Sequence, residues 1–69
     1  MRISARNQIK GTVVEVKKGA TTSHVLVDIG GGKIVMSSIT NEAVDELGIK
    51  AKGAVTVVIK ASDVMIGVD

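Results

Sequence analysis

His24-Val25-Leu26-Val27-Asp28-Ile29-Gly30-Gly31-Gly32-Lys33-Ile34-Val35-Met36-Ser37-Ser38-Ile39 is the stretch that decides the fold class. In its first half Val25, Val27 and Ile29 alternate with His24, Leu26 and Asp28, the period of a strand with one buried face. Gly30-Gly31-Gly32-Lys33 then makes a tight connection, because glycine takes positive φ without steric cost. Ile34 to Ile39 is the next strand, so the stretch reads as a hairpin. It is not a phosphate-binding loop: no helix follows the glycines, and the Lys-Ser/Thr ending that grips a phosphate and Mg²⁺ is missing.

Working outward from the hairpin, Gly11 to Val16 is an earlier strand, with Thr12, Val14 and Val16 on one face and Val13, Glu15 and Lys17 on the other. Lys17 to Ser23 breaks that pattern with glycine and small polar residues and reads as a turn. On the other side, Thr40 to Leu47 is the one helix: Thr40 caps it, Glu42 favours its positive end, Ala43, Val44 and Leu47 share a face, and Gly48 stops it. Ile49 to Gly53 is a second turn. Val55, Val57 and Ile59 alternate with Thr56, Val58 and Lys60 in a further strand, and Val64 to Val68 is read as a short final one. Three strands, a short helix and two strands predict a mainly all-β chain, folded as a small OB-like five-stranded β-barrel with one short helix.

Composition agrees. The apolar set holds 12 Val and 8 Ile against 2 Leu, and β-branched side chains suit a pleated surface. At 69 residues the chain is read as one domain, 1–69. Domains this small usually add disulfides, a metal or a partner subunit. With no Cys and a single His the first two routes are closed, so a homo-oligomer is expected. No apolar run reaches the roughly 20 residues of a membrane span and no signal-peptide core opens the chain, so a cytoplasmic location is the default.

Chemistry concentrates near the first residues. Ser4-Ala5-Arg6-Asn7-Gln8 packs a hydroxyl, a guanidinium and two amides into five positions without a carboxylate. An excess of donors is what an anion, a pure acceptor, requires. Catalysis finds no comparable support: His24 has no second ligand for a metal, Asp45 and Glu46 sit on the helix's polar face, and Ser23, Ser37 and Ser38 have no neighbouring base. The chain is read as a non-enzyme.

Ser4-Ala5-Arg6-Asn7-Gln8 followed by Gly11, together with Val57-Val58-Ile59-Lys60-Ala61-Ser62, resembles the molbindin (Mop) family of molybdate-binding proteins. These are single TOBE domains, similar to the C-terminal domains of molybdate transporter ATPases and molybdate-sensing regulators. The resemblance runs from Ile3 to Val68, and motifs at both ends make it specific. It implies an oxyanion site shared between subunits, with Ser4, Ala5 (through its main chain) and Arg6 from one and Thr40, Lys60, Ala61 and Ser62 from its neighbour. It also implies a homohexamer built as a trimer of dimers, with further oxyanion sites on the threefold axis. Lys18, Gly19, Ala20, Thr21 and Thr22 are the candidates for that second site. Family members often carry a Ser three residues after the Thr; Ala43 stands there in this chain, so one side-chain donor is missing.

The ligand implied is molybdate or tungstate, with no cofactor and no metal held as a bare cation. Such an ion is a tetrahedral dianion that only accepts hydrogen bonds, so Arg as a planar fork, Lys as a point charge, hydroxyls and main-chain amides must converge on it. The chain holds neither a Walker sequence nor a helix-turn-helix, which favours storage of the ion over transport or transcriptional control. Two other readings compete. A small OB-type binder of single-stranded nucleic acid needs aromatic stacking platforms, and there is no Phe, Tyr or Trp and a net charge of only +2. A ligand-free oligomeric module is the third. No nucleic acid or membrane partner is expected.

Overall fold

The computed structural model describes residues 1–69. β1 (Asn7–Lys18), β2 (Thr22–Gly30) and β3 (Lys33–Thr40) follow one another, then α1 (Asn41–Leu47), β4 (Ala54–Ile59) and a 3₁₀ turn over Ala61–Asp63. The four strands form one antiparallel sheet in the order β3-β2-β1-β4. The hairpin forms as predicted: Gly30 pairs with Lys33, and Gly31 and Gly32 both take positive φ (61° and 74°), as a primed two-residue turn requires. The Asp28 carboxylate accepts the Gly30 N–H at 2.8 Å and steadies the approach to the turn.

β1 serves two partners in succession. Asn7 to Thr12 pair with β4, and Thr12 to Lys18 pair with β2. Gly11 lies at the handover, where an added Cβ would stand 2.6 Å from Val27 Cγ1 and 2.7 Å from the Asp28 carbonyl oxygen. The parity expected for this strand is corrected here. Val13 faces inward in phase with Asn7, Ile9 and Gly11, and a bulge between Val13 and Glu15 leaves Val14 unpaired and half exposed and brings Val16 round to the core side. The Val13 N–H donates to the Gly53 carbonyl at 2.9 Å, and its carbonyl accepts the Lys52 N–H at 2.8 Å. The turn before β4 thereby docks on the Val13 backbone beside the bulge.

Val13, Val25, Val27 and Val44 form the core, with Val16, Ile29, Ile39, Ile49, Val55 and Val57 packed around them. α1 lies over one end of the sheet. Thr40 Oγ1 accepts the Ala43 N–H at 3.1 Å, Gly48 ends the helix at φ 64°, and the Ile49 N–H closes on the Val44 carbonyl at 3.0 Å. Val44 is the helix's buried residue; Leu47, expected on the same face, is 71 % exposed.

Two parts of the barrel expectation are corrected. Only four strands form, and the sheet does not close, since β3 and β4 are both free edges. Val64 to Val68, read as a fifth strand, has no strand structure. A strand exists only by pairing, and this segment pairs with neither free edge, so Met65, Ile66 and Val68 project with about nine-tenths of their surface exposed. The chain's accessible area, 5519 Å², exceeds the roughly 4,100 Å² of a compact monomer of this mass by about a third. No helix is long and apolar enough to cross a membrane.

Candidate oxyanion site

The register of β1 against β4 builds the site. Asn7 pairs with Ile59, so the residues just before Asn7 and just after Ile59 leave the sheet side by side. Asn7 Nδ2 donates to the Ile59 carbonyl at 3.2 Å and fixes that junction, while Gln8 Nε2 donates to the Ala5 carbonyl at 2.9 Å and folds the arm back on itself. The two amides read from sequence as ligand donors are therefore spent on main-chain acceptors. Their role is to hold the arm.

Beyond the junction lies a surface depression of 630 Å³, lined by Ser4, Ala5, Arg6, Lys60, Ala61 and Ser62 together with Ile3, Val58 and Asp63. Six of the seven residues expected at the primary site are thus brought together in a single chain, from segments more than 50 positions apart. The side chains of Ser4, Arg6, Lys60 and Ser62 make no hydrogen bond or ion pair within the chain. Their donors are free, and the depression is wider than any tetrahedral oxyanion. Asp63 is the residue that sequence reading missed. Its position three beyond Lys60 was the available signal, since a 3₁₀ turn places i and i+3 on one side.

Thr40, the seventh, does not line this depression. It sits where β3 meets α1, paired across the sheet with Thr22. That is the Lys18 end of β1, and the depression is at the Asn7 end. Within one chain Thr40 therefore stands outside the lining that gathers Arg6 and Lys60.

The second group, at Lys18 to Thr22, is only partly gathered. A wholly polar depression of 330 Å³ is lined by Lys17, Lys18, Gly19, Thr22 and His24, without Ala20 or Thr21. Some of the groups around it are already engaged. The Gly19 N–H donates to the Thr22 carbonyl at 2.7 Å, Lys18 Nζ pairs with Asp45 Oδ1 at 3.2 Å, and the carbonyls of Gly19, Ala20 and Thr21 accept from Asn41. His24 and Lys17 face each other as a cross-strand pair. No group of His, Cys, Asp or Glu is arranged to hold a metal ion.

A model of the TOBE domain matches residues 3–66. Molybdenum-pterin-binding protein 1 of Clostridium pasteurianum is 52% identical over 66 residues, covering 96% of this chain and 97% of that protein. Among solved structures, MopII from Clostridium pasteurianum superposes with a TM-score of 0.91 at 48% identity, over 97% of this chain and 100% of that one. The cytoplasmic molybdate-binding protein ModG, in a form with molybdate bound, gives a TM-score of 0.95 at 43% identity, over 100% of this chain and 49% of that one.

Proposed function

We propose, from the premise that the chain belongs to the TOBE-domain family of molybdenum-pterin-binding (Mop) proteins, that it binds molybdate or tungstate and stores the ion inside the cell without transforming it. The observation that carries this reading is the convergence of unspent donors from residues 4–6 and 60–62 on one depression. Arg6 and Lys60 supply the positive charge that attracts a dianion. Ser4, Ser62 and main-chain amides of the arm and turn supply the remaining donors. Taking a dianion out of water is costly unless charge and hydrogen bonds replace its hydration, and one chain leaves the depression open to solvent on its outer side.

A neighbouring copy supplies the missing wall, and we place the complete site between subunits of a homo-oligomer, a hexamer arranged as a trimer of dimers. Two observations support this. Thr40 does not line the depression of its own chain, and the surplus accessible area with its bare apolar tail and free sheet edges is surface that assembly would cover. The polar depression around Lys18, Gly19 and Thr22 is the second, weaker oxyanion locus, with Ala20 and Thr21 acting through the shape of the turn.

Equilibrium dialysis against molybdate, followed by elemental analysis and native mass measurement, tests the whole reading. The expected result is an oligomer retaining molybdenum. A monomer that leaves all added metallate free would overturn it.

A further inference from the structure

We infer that Asp63 is a specificity-determining residue of the oxyanion site, holding down its affinity for fully deprotonated tetrahedral anions; this rests on the oxyanion reading above. Asp63 lines the same depression as Ser4, Arg6, Lys60 and Ser62. Its N–H donates to the Lys60 carbonyl at 2.9 Å, closing the 3₁₀ turn that puts both side chains on one side of the backbone. Its carboxylate has no ion-pair or hydrogen-bond partner in the chain, so neither Arg6 nor Lys60 neutralises it directly. The depression therefore holds two cations and one free anion, and offers a dianion less than full charge compensation.

A carboxylate can only accept hydrogen bonds, and so can molybdate, tungstate or sulfate near neutral pH. The two repel. At a separation of about 6 Å in a water-like dielectric, that repulsion weakens binding of a dianion by about tenfold. Inorganic phosphate differs, because it retains a proton at pH 6.5 and can donate it to Asp63. The same side chain thus penalises one class of oxyanion and accepts from the other. A site that stores an ion must also release it, and a resident anion keeps the ion exchangeable.

The test is calorimetric titration of the full-length oligomer and its Asp63→Asn variant with sodium molybdate, and separately with inorganic phosphate, at pH 6.5. Asn keeps the turn's main-chain bond and removes only the charge; native mass checks that assembly is unchanged, and Asp63→Glu serves as the conservative control. Asp63→Asn is expected to bind molybdate about tenfold more tightly and phosphate no more tightly, while Asp63→Glu stays near wild type. Equal or weaker molybdate binding by Asp63→Asn, or equal tightening for both anions, overturns the inference and leaves the oxyanion reading standing. Failure of both proteins to bind molybdate removes that reading and the inference with it.

Discussion

The two ends of β1 are both polar and both carry lysine, yet their donors go to different places. At the Lys18 end those of Lys18, Ser23 and Asn41 are consumed within the chain. Buried Ser23 Oγ donates to Asn41 Oδ1, Asn41 Nδ2 donates to the Gly19 and Ala20 carbonyls, the Asn41 N–H donates to the Thr21 carbonyl, and Lys18 pairs with Asp45. This end ties the first turn of the sheet to the helix. At the Asn7 end only the two amides are consumed, and Arg6, Lys60, Ser4 and Ser62 are left with free donors around an open depression. Polar residues build structure where they are mutually satisfied and a binding site where they are not.

That contrast can be broken by substitutions that separate affinity from stability. The largest effect is expected from Arg6→Ala. Two charge-assisted hydrogen bonds at about 1.5 kcal/mol each put the loss of molybdate affinity near 100-fold, with the oligomer and its melting temperature unchanged. Wild-type affinity in a calorimetric titration would move the site elsewhere. Lys60→Ala should act in the same direction with a smaller loss, since Lys contributes a point charge rather than a fork.

Asn41→Ala reverses the pattern. It strands the Ser23 hydroxyl in the core and frees the Gly19 and Ala20 carbonyls, for a stability loss of about 2 kcal/mol; denaturant unfolding should show it while ion binding by the folded protein is retained. Thr40→Ala sharpens the comparison because it belongs to both sides. Loss of the cap costs about 1 kcal/mol, and affinity falls as well if a neighbour's Thr40 completes the site; a purely structural effect would leave the binding constant untouched. Lys18→Ala is the smallest. Its ion pair is exposed, 54 % and 69 % on the two side chains, so stability should change by less than about 0.5 kcal/mol, and a drop in the number of ions bound per oligomer would identify the second locus.

Much of this molecule was legible residue by residue. The Val25/Val27/Ile29 alternation, the Gly31-Gly32 turn, the Thr40 cap and the Gly48 stop are local rules, and each element appears where those rules put it. Val13 and Val16 share the core side against simple alternation because a bulge lies between them, beside the backbone bonds of Val13 to Lys52 and Gly53, 39 and 40 positions away. Ser23 looked like part of a turn, yet it is fully buried because Asn41 arrives beside it only when α1 docks. Asn7 and Gln8 looked like ligand donors, since sequence displays a donor without its acceptor.

By itself the sequence determined the strand-rich class, the hairpin, the helix limits and the donor-rich composition of the two ends. All of these depend on φ preferences and on neighbours within a few residues. Tertiary structure alone decided that residues 4–6 and 60–62 share one depression, that Thr40 is not part of its lining, and that the sheet stays open with Val64–Val68 unpaired. Those outcomes depend on the register of β1 against β4 and on which edges find a partner. Such pairings are fixed by contacts between distant segments, and no local pattern encodes them.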